Sequence, residues 1–469
     1  MLRKAYFYLI LLGALHLSPG ALAIAEALDF APQSTEQQKA LATHFKAQDH
    51  LAALSQFDQA FGQSRFARSV DGQAFKAYLM YRSGLKITGI ESLNRISQPQ
   101  QMHPTLKKLW LENLKVDDPV LKHLNLSWSP RFRGIIPTEV LQAQEQRDQW
   151  NRLLLAAAND RPQSSLRDLN RLRRSSQKIF DADLLNLTEA RILFQMNRLN
   201  ETPSLYRSIP KSSDLWLEAR EELAWTYLRL DQPEKALAEM KSLVTVFFRH
   251  ALGPEPFVLL NLAHLSVCDY PAIFRASTEF KRRFGPRVQA LAQLESSERL
   301  ALIQSALNQM AQGKSREKMG ELAALMPRRM FTDTHILHLT GLTAQLTRES
   351  QLLARLQMNP LNQGLEGRIR RAQEQALNQV RQLAQKELIE IRNMTQRLHL
   401  VEAEVIQRMH IESRKANNSS RLRSSGSPHR GEVLSFPASR EVWRDEIGNF
   451  VVDVRECPRL EMSLSQRAQ

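Results

Sequence analysis

The stretch Asp214-Leu-Trp-Leu-Glu-Ala-Arg-Glu-Glu-Leu-Ala-Trp-Thr-Tyr-Leu-Arg-Leu-Asp-Gln-Pro-Glu-Lys-Ala-Leu-Ala-Glu-Met240 decides the fold. Leu223, Ala224, Tyr227 and Leu228 recur at helical spacing and share one face. Asp231-Gln232-Pro233 ends that helix, and Pro233 suits the first turn of the next, where its missing N–H costs nothing. The second helix presents small Ala236 towards the first, followed by Met240 and Leu243. A small residue lets two helices cross closely, and large ones fill the space beside the crossing. The stretch therefore reads as an antiparallel helical hairpin.

The hairpin has company. Phe194 stands 33 residues before Tyr227, and Pro203 stands 33 before Ala236. Ala263 and Ala272 follow the same two positions by 36. Units of this size cannot bury their faces alone and stack on neighbours. The period and the residues that carry it, Phe194, Leu223, Ala224, Tyr227, Ala236 and Met240, resemble the tetratricopeptide (TPR) repeat, at about 34 residues. That resemblance covers Leu184 to Phe284 and implies a helical-repeat solenoid that packs through those six residues.

Composition agrees with an all-α body. Of 469 residues only 17 are Gly, and alternating apolar residues are scarce before the C-terminus. The expected plan is a signal peptide at 1–23, an N-terminal helical region at 24–175 and repeats at 176–290. Further helices follow at 291–358, then a long amphipathic helix at 361–417 and a flexible basic linker at 418–431. A small β-hairpin element at 432–458 and a tail at 459–469 end the chain. The first segment carries Arg3 and Lys4, an apolar run from Ala5 to Leu17, and small residues before Ala23, as secretory signals do. Ile24, not Cys, follows, so no lipid modification is expected there. Export to the periplasm, or to the periplasmic face of the outer membrane, is the expectation, with membrane contact peripheral at most.

The formal net charge is +15, and loss of Arg3 and Lys4 with the signal lowers it to +13. Two runs stand out: Arg167, Arg171, Arg173, Arg174 and Lys178; and Arg414, Lys415, Arg421, Arg423 and Arg430. A solvated basic face is the default reading, with attraction to an acidic protein or envelope surface second. Export and the lack of a groove-reading motif argue against nucleic acid. Cys268 and Cys457 are the only cysteines; two separate thiols are expected, with a bridge the alternative that an oxidising compartment permits. His335 and His338 read as ordinary helix residues, since no third metal ligand is near in sequence. No metal and no cofactor are expected.

From Ile369 through Ala372, Ala376, Val380, Leu383, Ile391, Met394, Leu398, Val401 and Val405 to Met409, apolar residues recur mostly at three- and four-residue steps, with one interruption at Glu387-Leu388. Such length suggests a coiled coil. The helix could pair with itself, pair with another protein, or lie along the repeats. The length of the seam favours the first two, which makes Leu398 and Val401 candidate partner-binding residues. After the linker, Val442–Glu446 and Phe450–Arg455 read as two strands around a Gly448-Asn449 turn. A lone hairpin is marginal in water, so its Phe436, Trp443, Phe450 and Val452 should dock on something.

The signal, the repeats and the terminal residues Phe436, Pro437, Glu441, Trp443, Asp445, Glu446, Gly448 and Phe450 together resemble the exported TPR proteins of bacterial gliding-motility (adventurous motility) systems. The resemblance implies a non-catalytic envelope component that assembles with other envelope proteins. It adds Asp445 and Glu446 to the partner-binding candidates. Catalytic signatures are lacking: no phosphate-binding Gly loop, no Gly-x-Ser-x-Gly elbow and no His-Glu-x-x-His pair. The competing class is a peptidoglycan enzyme of the lytic-transglycosylase type, which also uses an exported helical superhelix. It would need a lysozyme-like domain, for which the C-terminal segments leave no room.

Overall fold

A computed structural model describes residues 35–419, 432–436 and 450–454, with short breaks at 116–117, 123–127, 176–178, 246–247, 249–250, 295, 297–298 and 357–358. The signal segment, Cys457, the linker from 420 and the residues Trp443, Asp445 and Glu446 lie outside the described residues. Among the described residues the chain is all-α apart from one strand pair. It begins with α1 (Thr35–Lys46), α2 (His50–Phe61), α3 (Arg65–Arg68), α4 (Val70–Arg82), α5 (Lys86–Asn94), α6 (Pro104–Asn113), α7 (Pro119–Lys122) and α8 (Thr138–Ala158). There follow α9 (Pro162–Arg173), α10 (Ala182–Gln195), α11 (Thr202–Arg207), α12 (Trp216–Arg229), α13 (Pro233–Leu243), α14 (Glu255–Ser266) and α15 (Tyr270–Gln293). The remainder is α16 (Leu300–Ala311), α17 (Arg316–Met319), α18 (Glu321–Leu325), α19 (Thr334–Arg355) and α20 (Asn359–Ser419).

One stop signal recurs along this series. Asp160, Asn197, Asp231 and Cys268 all take left-handed backbone, with φ of 54°, 60°, 58° and 56°. Each is followed by an N–H that reaches back five residues: Arg161 to Ala156 (2.9 Å), Arg198 to Leu193 (2.9 Å), Gln232 to Tyr227 (2.9 Å) and Asp269 to His264 (3.0 Å). Each left-handed residue also donates to the carbonyl three residues back. This closure satisfies the last carbonyls of a helix and turns the chain sharply into the next one. The four stops fall 37, 34 and 37 residues apart. They mark four successive hairpins, one more than the apolar pattern indicates, the added one being α8–α9. Asp269 then caps α15, accepting from the Ala272 N–H at 3.2 Å.

The chain divides into two compact units, each assembled from separated stretches. The first takes residues up to Asp148, Thr334–Ala376 and a short piece at 310–313. Its core is aromatic: Phe45, Phe57, Phe61, Phe75, Tyr78 and Trp110 are buried together, with Leu346, Leu353 and Leu365 from α19 and α20. Glu349 on α19 is fully buried there. It accepts from the backbone N–H groups of Ile87 (2.7 Å) and Thr88 (3.1 Å) and from the Thr88 hydroxyl (2.7 Å). It thus caps α5, whose own Leu85 supplies no side-chain cap.

The second unit holds the hairpins. Leu223, Ala224, Tyr227, Ala236 and Met240 are all buried in one cluster, and Ala236 lies at the α12–α13 contact. Asn261 on α14 donates to Ser277 on α15 at 2.9 Å, and the Thr202 hydroxyl meets the Thr226 hydroxyl at 3.3 Å between α11 and α12. These buried polar pairs hold the register of the stack.

The long helix corrects an expectation. Its segment from Leu377 onward belongs to this unit and packs on the chain's own hairpins. Val401 and Val405 are buried with Cys268, Tyr270 and Ile273 of the α14–α15 turn, and Leu398 is 1% exposed. The interruption at Glu387 is a polar joint: Glu387 is buried and takes a two-pronged contact from Arg287 of α15 (2.8 and 3.1 Å). Further along, Lys281 meets Glu402 at 3.3 Å. The seam is therefore covered within one chain, and Leu398 and Val401 are packing residues rather than an open partner face. Ile389, Leu400 and Ile406 are exposed, and so is Met409, the last residue of the expected seam.

Two further differences concern the cysteines and the strands. Cys268 is disulfide-bonded, not a free thiol. Glu432–Phe436 pairs antiparallel with Phe450–Val454, in the register Phe436↔Phe450 and Glu432↔Val454. The second strand falls where expected, but its partner is 432–436 rather than 442–446.

Two substitutions test this packing. Val405→Asp places an unpaired charge in the α20–α15 contact and should cost roughly 3–5 kcal/mol, whereas Ile406→Asp, on the exposed side, should change stability by about 0.5 kcal/mol or less. Equal melting temperatures for the two variants would mean that the helix does not pack here. Ala236→Glu should lower the melting temperature as Val405→Asp does, since the α12–α13 crossing has no room for a carboxylate.

Candidate peptide-binding groove

The faces of α10 and α12 turned away from the core build a groove. Arg191 and Phe194 lie one turn apart on α10; Glu222, Trp225 and Arg229 follow the same spacing on α12. With Tyr206 of α11 they line a cavity of about 460 Å³ with a mainly apolar wall. The Arg229 guanidinium stacks 4.7 Å from the centre of the Phe194 ring and donates to the Asn197 side-chain carbonyl at 2.8 Å. Asn197 is one of the left-handed stop residues, so the turn itself positions Arg229. Arg191 is held by two carboxylates, Glu222 (2.6 to 3.0 Å) and Glu218 (2.6 Å). Burial pushes the Glu222 carboxyl and the Tyr206 hydroxyl up, and the two share a hydrogen bond.

At the floor of the same face Trp225 donates its indole N–H to Glu255 of α14 at 2.7 Å. Glu255 in turn stands against Glu221, one turn before Trp225. Burial, with the Glu255 charge second, pushes the Glu221 carboxyl up to about 8. Arg328, paired with Glu390 of α20, supplies the nearest opposing positive charge.

Chemically, the groove offers a flat aromatic surface, a guanidinium that no carboxylate neutralises among the described contacts, and a hydrogen-bonded acidic floor. That suits recognition of a side chain or peptide segment rather than bond cleavage. No protein-family model matches the chain, and no curated protein matches it.

The sequence-predicted residues distribute plainly. Leu223, Ala224, Tyr227, Ala236 and Met240 are core. Phe194, expected to pack, is only half-buried and forms a groove wall under Arg229. The backbones of Phe436 and Phe450 pair in the ladder. The groove residues Arg191, Trp225 and Arg229 escaped sequence reasoning. The available signal was Trp225 itself, a large aromatic off the Leu223–Ala224–Tyr227 stripe. Among the described residues no cluster of three His, Cys, Asp or Glu could hold a metal ion, and no helix is long and apolar enough to cross a membrane.

The raised Glu221 gives a signed pH dependence. Its folded pKa exceeds that of an unfolded glutamate, so its contribution is intact below pH ~4.5 and is lost as pH rises through about 8. Glu221→Gln keeps the shape without the charge. Between pH 5.5 and 8.5 the parent chain should lose more melting temperature than this variant; parallel pH profiles would show that Glu221 ionises freely in the folded state.

Proposed function

We propose that this chain is a TPR-like, non-catalytic scaffold of the bacterial cell envelope, exported to the periplasm, that binds protein partners through the α10–α12 groove. A role within a gliding-motility or envelope-assembly machinery follows from the resemblance of the signal, the repeats and the terminal Phe436–Phe450 segment. The observation that carries the binding role is the groove itself: Trp225 and Phe194, each partly buried, form an apolar wall beside Arg229. This chemistry favours a segment that places an acidic side chain next to an aromatic or aliphatic one. The covered α20 seam supports a monomeric scaffold over a coiled-coil spacer.

The competing class, a peptidoglycan-cleaving enzyme, draws its one point of support from the upward shift of the Glu221 carboxyl. That group is enclosed between Glu255 and Arg328, which suits a structural role more than an acid presented to a sugar chain.

Binding of peptides to the whole chain, read by the emission of its tryptophans, tests the groove. A peptide pairing Trp or Leu with Asp-Glu should bind, and its Lys-Lys counterpart should not. Arg229→Gln should weaken binding by about tenfold, near 1.4 kcal/mol, and Trp225→Ala by more, with the Arg229→Gln melting temperature unchanged. Insensitivity to both substitutions would remove the groove as the binding site. Purified protein should leave peptidoglycan intact in a zymogram, and clearing would establish the enzyme reading instead.

A further inference from the structure

We propose that His50 makes the packing of α1 and α2 in the first unit acid-sensitive: uptake of a proton there releases this helix pair from the aromatic core. His50 is the first residue of α2, and only 8% of it is exposed. Both ring nitrogens, Nδ1 and Nε2, are buried without a hydrogen-bond partner. The neighbours are rings. Phe45 of α1 stands nearly perpendicular to the imidazole at 5.4 Å between centres, and Tyr78 of α4 at 6.3 Å. Phe45 packs in turn on Phe75 of α4 at 5.7 Å, and Phe75 on Phe57 of α2 at 5.9 Å. The imidazole thus sits where the helix pair meets α4. Such a place holds a neutral ring far better than an imidazolium, whose two N–H donors would find no acceptor. Attraction of a cation to ring faces offsets only part of that loss.

The surrounding charges point the same way. His50 stands in the first turn of α2, at the positive end of the helix dipole, where a cation is disfavoured. Arg82 of α4 adds a like charge, and Asp49 opposes it. Asp49 is exposed and already caps α2, accepting from the Ala52 N–H at 3.0 Å. The other titratable groups are engaged or outside. Asp58 of α2 pairs with Lys76 of α4, Glu112 of α6 bears on the Tyr78 hydroxyl, and His44 and Lys46 of α1 are not buried. Burial first, then Arg82, holds the imidazole below its ordinary range. Because the folded value is depressed, the contribution to stability is intact above the unfolded value near 6.5 and is lost as pH falls from there towards the folded value. Release of α1–α2 frees the imidazole to take its proton and uncovers Phe57, Phe61, Phe75 and Tyr78, all buried in the closed form.

Amide hydrogen exchange of the full chain, read by mass spectrometry at about pH 7.5 and about pH 5.0 and corrected for intrinsic exchange rates, supplies the test. Between the two conditions, peptides from α1 and α2 should lose roughly tenfold more protection in the parent than in His50→Phe. His50→Gln, uncharged at both pH values, is the second variant if the larger ring disturbs the core. Each variant is read by its difference between the two conditions, so a change in baseline stability does not affect the outcome. An equal change in the parent and in both variants, or no loss of protection in the parent, overturns the proposal.

Discussion

The hairpin unit depends on one buried ion pair. Arg287 and Glu387 have side chains 16% and 6% exposed, and the pair is two-pronged. Around it the remaining capacity is filled: Arg287 donates to two carbonyls of the α18 end, and Glu387 accepts from the Arg328 backbone. Such a pair gives little net stability relative to an apolar contact, but breaking it leaves an uncompensated charge at a cost of about 3–5 kcal/mol. Its value is register. A slide of α20 by one turn would separate the charges, while the small and branched residues of the seam would tolerate the slide. Val401 and Val405 can then meet only Cys268, Tyr270 and Ile273.

The same constraint explains what was legible in the chain and what was not. The apolar seam from Ile369 to Val405 is visible as periodicity, because a helix repeats every 3.6 residues whatever it packs on. What covers the seam is not visible. Periodicity reports that a face is buried, not whether the covering surface is another molecule or the same chain 100 residues earlier. Glu387 looked like a flaw in the seam and is its most specific contact. Glu349 is a parallel case: a carboxylate on α19 caps α5 from more than 250 positions away. No local pattern connects the two.

The repeats show a second limit. Pro203 and Pro233 betray two hairpins because proline has positional meaning at helix starts. The stops that define all four hairpins sit at Asp160, Asn197, Asp231 and Cys268, none of them glycine. Asn and Asp tolerate left-handed backbone and so leave a faint trace; cysteine leaves none. Cys268 takes the left-handed backbone where its sulfur is also committed to a disulfide.

Charge is where local reading misleads most. The run at Arg167–Arg174 is conspicuous because its residues are close in sequence, yet Arg167, Arg171 and Arg174 are exposed, with 71% of the Arg171 side chain open where it meets Asp168, and Arg173 pairs with Glu189 of α10. Solvent and salt screen such a patch. The arginines that face one another come from 282 to 328, spread over two helices and a connecting segment, and are gathered only by the fold. Inside a half-enclosed wall the same charges interact through less water, so each exerts a larger field. Five cations gather at such cost only where something holds them, and here that is done one by one: Glu279, Glu387 and Glu390 hold Arg282, Arg287 and Arg328, and phenylalanine rings face Arg283 and Arg316.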